Sequence, residues 1–118
     1  MTLNQQEIEK IQTNNLEKKI KLLLMSIGFD FSLLGSHYVK EIVVFVVKNP
    51  KQIHCLSSGV MKRISTVYEH SVKCIDKDIR WAINKAYNTG LLKKISIFSY
   101  GSVPTIKQLI NWLFDYFA

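Results

Sequence analysis

Apolar residues recur at three- and four-residue steps along most of this chain, with charged and amide residues between them. From Leu3 to Ile27 the apolar positions include Ile8, Ile11, Leu16, Ile20, Leu23, Leu24 and Ile27. That spacing predicts one amphipathic helix, ended by Gly28. The segment "FDFSLLGSHY" then turns the chain, with Gly35 supplying backbone freedom and Ser36 a helix cap. "HYVKEIVVFVVKNP" reads two ways. Its β-branched run favours a strand, whereas Val39, Ile42, Val43 and Val46 fall at helical spacing, and Asn49-Pro50 stops either element.

In "SSGVMKRISTVY" the residues Val60, Ile64 and Val67 share one face and Lys62 and Arg63 the other, which predicts a short helix. A break at Glu69–Ser71 leads into "KCIDKDIRWAINKAYNTG", where Ile75, Ile79, Ala82, Ile83 and Ala86 lie on one side and Lys73, Lys77, Arg80 and Asn84 nearly opposite. Gly90 closes this helix. Residues Leu91 to Val103 alternate briefly at Ile95 and Ile97 before a Gly-Ser turn, suiting a small wing hairpin or an irregular connection. Pro104 and a capping Thr105 open the last helix, with Ile106, Leu109, Ile110, Leu113 and Phe117 inward. Trp112, Phe114 and Tyr116 point elsewhere, an apolar surplus that a partner subunit would cover.

A chain of 118 residues has room for one domain and one core, and 47% hydrophobic with 21% charged residues is a globular composition. Sixteen Lys and Arg against nine Asp and Glu give a net charge of +7 and a pI near 9.5, which favours a polyanionic partner. The N-terminus "MTLNQQEIEK" lacks the basic start and apolar segment of a signal peptide, and the longest apolar run, Ile42 to Val47, is far short of the roughly 20 residues that span a bilayer. Two cysteines among apolar neighbours, Cys55 and Cys74, make no disulfide scaffold and fit a reducing cytoplasm.

Two helices, a short polar break and a basic second helix also form a helix-turn-helix pattern over about residues 57–90. The chain resembles the C-terminal DNA-binding effector domain of the sporulation-initiation response regulator, stage-zero sporulation protein A, from about Leu16 to Phe117. "LLMSIGFDFSLLGSHYVKEIV" matches that family's Ile-Gly and Gly-x-x-Tyr-apolar-basic-Glu segments through Ile27, Gly28, Gly35, Tyr38, Val39, Lys40 and Glu41. "DIRWAINKAYNTG" matches the recognition-helix ending through Ile79, Arg80, Ala82, Ile83, Ala86, Tyr87 and Gly90, and "VPTIKQLI" the opening of the last helix through Pro104, Thr105 and Ile110. The resemblance implies an all-α, compact six-helix bundle containing a helix-turn-helix, and so a helix for the Val-rich run. Residues 1–15 then form an N-terminal helical extension of a single domain. It also implies a regulator of transcription that binds a short promoter box with a central CG step, often as tandem dimers.

Carried over by position, Asp76 stands where the family has Glu, Lys77 where it has Arg, Arg80 where it has Arg, and Trp81 where it has His. Two local departures bear on sequence preference and docking: Cys74, beside Lys73, occupies the place of a family Arg, and the break between the two helices is several residues longer here. The family's receiver domain has no counterpart in the 118 residues, so control through phosphorylation is not expected within them.

In a major groove Arg80 and Lys77 can donate to guanine O6 and N7, and Asp76 can accept from cytosine N4. Lys62 and Arg63 are candidate phosphate contacts, with Lys73, Lys93 and Lys94 behind them. Trp81 and Asn84 border the basic stripe and complete the DNA-binding set. A solvated helix face is the plain alternative for Lys73, Lys77 and Arg80. His70 and Cys74 are spaced like a ligand pair, but no second pair lies nearby, and His37 and His54 read as structural or surface residues. No nucleophile elbow, phosphate loop or metalloprotease motif occurs, so neither enzyme activity nor a metal or other cofactor is expected. The expected partner is double-stranded DNA in the cytoplasm. A second copy or a related full-length regulator would pair through the C-terminal helix. The rival reading keeps the fold but makes it an interaction module or antagonist that does not read DNA. A membrane-surface role for the N-terminal helix ranks below both, because that helix mixes Glu with Lys.

Overall fold

The computed structural model describes residues 2–95, 98 and 101–118. Among them it holds five α-helices and no strand: α1 Gln5–Ser26, α2 Leu34–Lys48, α3 Met61–Tyr68, α4 Val72–Asn88 and α5 Ile106–Phe117. The all-α class is the expected one; the expected sixth helix is absent among the described residues. Pro50–His54 makes a 3-10 turn and Leu56–Val60 a π-helical turn that runs into α3. Pro50 has no N–H for a helical ladder, and Cys55 between the turns sits at φ −127°. The stretch therefore divides into single turns.

The Val-rich run is helical because it is the centre of the molecule. Gly35, Ser36, Tyr38, Val39, Ile42, Val43, Val44 and Val46 of α2 are all buried, and α1, α3, α4 and α5 pack round it. A helix that is apolar on nearly every side needs such a covering, and the burial outweighs the small propensity penalty of β-branched residues. Gly35 and Ser36 act differently from the sequence expectation. Gly35 is an ordinary helical residue of α2, and a Cβ on it would come within 2.0 Å of the Asp78 carbonyl oxygen on α4. Its service is close approach of two backbones. Ser36 is buried inside α2 and donates to the Asp30 carbonyl at 2.7 Å; Leu33 occupies the cap without a side-chain hydrogen bond.

α1 ends as its sequence predicts. Gly28 is at φ +104°, Phe29 N–H donates to Leu24 C=O at 3.0 Å and Gly28 N–H to Met25 C=O at 3.1 Å, the Schellman pattern, with Leu24 and Phe29 both buried. The core holds only its second half, through Leu16, Ile20, Leu23, Leu24 and Ile27. From Gln5 to Asn15 every residue but Thr13 is exposed, and Thr13 accepts a hydrogen bond from Lys48 at the end of α2.

Between α3 and α4 lie only Glu69, His70 and Ser71, the break expected from the sequence. Glu69 takes the left-handed conformation at φ +56° that glycine would adopt more easily. Ser65 Oγ donates to the His70 carbonyl, Tyr38 of α2 is hydrogen-bonded to His70 Nδ1 at 2.8 Å, and Ser71 caps α4 by accepting from Cys74 N–H at 3.1 Å. Val67, expected on the inner face of α3, is 67% exposed.

After α4 the chain makes a 3-10 turn at Leu92–Lys94. The wing hairpin or irregular connection expected beyond it falls partly on Ser96, Ile97, Ser99 and Tyr100, outside the described residues. Thr105 caps α5 in a full capping box with Gln108. Phe98 meets Trp112 edge-on at 5.7 Å, and Trp112, Phe114 and Phe117 are half-buried against the core. The apolar surplus of α5 is smaller than its sequence suggests.

Candidate nucleic-acid interface

The apolar face of α4, Ile75, Ile79, Ala82, Ile83 and Ala86, is buried against α2 and its neighbours. That burial turns the opposite face outward. Lys73, Lys77, Arg80, Trp81 and Asn84 are all exposed along it, with Asp76 half-buried at its margin. Trp81 is 66% exposed and therefore belongs to the open face. Among the described residues neither Lys73 nor Lys77 has a carboxylate within ion-pair distance. Asn84 donates to its own helix at the Arg80 carbonyl, 2.9 Å away, which leaves its side-chain oxygen outward.

Arg80 is held. Its Nε donates to Asp76 Oδ2 at 2.6 Å, one helical turn back. With Nε engaged, the two terminal Nη groups remain as a forked donor pair, and the second Asp76 oxygen remains as an acceptor. In this geometry Asp76 is placed to orient the Arg80 guanidinium.

Lys62 and Arg63 are both exposed on α3, but the Arg63 guanidinium lies over the Phe45 ring of α2, 4.7 Å from its centroid. Lys93 similarly lies over Tyr87 at 4.6 Å. Lys62 and Lys94 make no such contact among the described residues. Cys55 and Cys74 are exposed free thiols. His37 Nε2–H donates to the Phe31 carbonyl at 2.8 Å, and His70 is engaged by Tyr38. No group of three His, Cys, Asp or Glu that could hold a metal occurs among the described residues.

Beside Arg80 lies a cleft that residue spacing alone did not reveal, lined by His54, Ser57 and Ser58 from the turns before α3 and by Thr105 and Lys107 from α5, with Asp76 and Arg80 at its wall. The α5 capping box uses the N–H groups of Thr105 and Gln108, while those of Ile106 and Lys107 have no acceptor among the described residues. Two basic side chains, hydroxyls and a helix start make a chemistry suited to a phosphate. The one sequence signal for it was a lysine two places after the Thr105 cap.

α4 is anchored at its far end by an ion pair. Lys85 Nζ donates to Asp30 Oδ2 at 2.8 Å, while Ser32 donates to Asp30 Oδ1 from its N–H at 2.9 Å and its hydroxyl at 2.7 Å. Lys85 first, then Ser32, hold the Asp30 carboxyl well below the usual carboxylate range. A lowered folded-state pKa contributes stability that is present above the unfolded value and is lost as pH falls toward the folded one. The melting temperature is therefore expected to decline below about pH 4, and Asp30→Asn to melt lower at neutral pH with a flatter acid limb. Parallel acid limbs in a series of thermal melts would remove Asp30 from the account.

A family model described as sporulation initiation factor Spo0A C terminal matches residues 20–116. No curated protein matches the chain. No helix among the described residues is long and apolar enough to cross a membrane.

Proposed function

Because the chain belongs to the sporulation initiation factor Spo0A C-terminal family, we propose that it binds double-stranded DNA in a sequence-specific way and regulates transcription, with α3 and α4 as a helix-turn-helix and the outer face of α4 in the major groove. That family is the DNA-binding effector domain of a sporulation regulator, a regulatory module and not an enzyme family. The observation that carries the reading is the single open face on which Lys73, Lys77, Arg80, Trp81 and Asn84 stand together while the opposite face of the same helix is buried.

Arg80, held from behind by Asp76, presents its Nη groups to guanine O6 and N7, and Lys77 reaches the same kind of acceptor. The free oxygen of Asp76 can accept from cytosine N4 on the partner strand. Lys107, the start of α5 and Lys62 supply phosphate contacts that fix the register. Trp81 lies beside the groove wall, where its ring packs on sugar and its indole N–H can donate.

The test is a titration of labelled duplex carrying a box with a central CG step, at several salt concentrations. Lys107→Ala is expected to weaken binding alike on the box and on unrelated DNA, and to reduce the slope of log affinity against log salt by about 1. Wild-type affinity in both Lys77→Ala and Arg80→Ala would overturn the assignment of this face.

A second reading is supported by Cys74, which stands where the family has Arg, and by Tyr116, 61% exposed near the end of α5. In that reading α5 pairs with a second copy or a full-length regulator and antagonises it without reading DNA. Capture of such a regulator with no footprint on DNA would favour it.

A further inference from the structure

α1 carries two apolar faces, and the fold uses one. Opposite the core face runs a line of Ile8, Ile11, Asn15, Lys18, Leu22 and Met25, spaced alternately by three and four residues, the a and d positions of a heptad. All six are exposed, Leu22 and Met25 to 67% and 51% even though they lie in the half of α1 that the core holds. The other half, from Gln5, has almost no support from the rest of the chain, and a free helical end of this length is marginal in water. It also precedes residue 20, where the family match begins, so the effector-domain resemblance does not account for it.

We propose that this line is a dimer interface and that its occupant is α1 of a second copy, running antiparallel. In that direction Ile8 meets Met25 of the second copy, Ile11 meets its Leu22, and Asn15 meets its Lys18, each pairing occurring twice about the two-fold axis. Every apolar position faces an apolar one, and the two polar positions satisfy each other through Lys18 Nζ donating to Asn15 Oδ1. The flanking lysines, Lys19 and Lys21, come opposite the amides Gln12 and Asn14. A parallel pair would instead set Lys18 against Lys18 in the seam. The antiparallel direction also sets the two helix dipoles against each other. Because the seam is opposite the core face, the two bodies lie outside it at opposite ends, each with its α4 face open.

Sedimentation equilibrium of the full chain across a concentration series tests the pairing. Wild type is expected to approach twice 13.7 kDa, and Leu22→Glu, a change at an exposed site, to stay at 13.7 kDa with its helical body intact by circular dichroism. A wild type that stays monomeric, or a dimer that survives Leu22→Glu and is lost in Tyr116→Glu, would overturn the proposal. Direction is read by disulfide capture in a Cys55→Ser, Cys74→Ser background. Chains with Ile8→Cys and chains with Met25→Cys should cross-link to each other when mixed; efficient capture of Ile8→Cys with itself would mean a parallel pair and refute the arrangement. Leu22→Glu should leave affinity for a duplex long enough for only one copy unchanged, which separates this pairing from the DNA reading.

Discussion

Gly35→Ala is expected to lose about 3 kcal/mol of folding stability, the upper part of the range for overpacked cores. The added methyl would stand 2.0 Å from the Asp78 carbonyl oxygen, 2.6 Å from its carbon and 2.9 Å from Ala82 Cβ. Two of those three atoms are backbone, so no flexible side chain can yield, and α2 and α4 must move apart along the contact that joins the two most buried helices. Alanine gains about 1 kcal/mol of helix propensity over glycine, and Gly35 has a helical backbone that alanine tolerates. The clash is several times that gain and decides the sign. For a domain of this size the loss corresponds to a fall of roughly 10–15 °C in melting temperature. The change also shifts α4, so DNA affinity should drop even where the variant is folded. A melting temperature equal to or above wild type would show that α2 and α4 do not approach this closely.

Arg80→Ala is the change with the largest expected effect on binding. A good forked contact to guanine discriminates by about 1–3 kcal/mol, roughly 5- to 150-fold in Kd. The loss should be confined to the cognate box, whereas an equal loss on unrelated duplex would reduce Arg80 to a phosphate contact. Asp76→Asn separates aiming from charge. The 2.6 Å pair is exposed, and an exposed pair one helical turn apart contributes only about 0.3–0.5 kcal/mol to stability, so the melting temperature should scarcely move. If Asp76 aims Arg80, the preference for the box over unrelated DNA falls in Asp76→Asn, and the double variant with Arg80→Ala loses no more than Arg80→Ala alone. Additive losses would mean that Asp76 reads its own base. Fluorescence anisotropy with box and scrambled duplexes gives both ratios.

Much of this molecule was legible before folding. Helix faces are written in residues three and four apart, and the buried stripe of α4 with the cationic one opposite needed only that periodicity. Caps are equally local, as Thr105 and Gly28 show. The Val-rich α2 was ambiguous from its own residues because a fully enclosed helix and a buried strand are both simply apolar; only its neighbours on every side distinguish them. Val67 failed for the complementary reason: its spacing is right, yet its own side chain is left exposed on α3.

The sequence by itself determined α1, α3, α4 and α5, most of their polar and apolar faces, and the identity of the basic face on α4, because each depends on residues within one or two turns of one another. Only the tertiary structure decided that Gly35 is a point of contact between helices, that Ser36 is a buried donor, that His54, Ser57 and Lys107 share a cleft with Arg80, and that the outer line of α1 is left uncovered. Those facts concern separations through space between residues far apart in the chain, and packing, which no local pattern encodes, sets them.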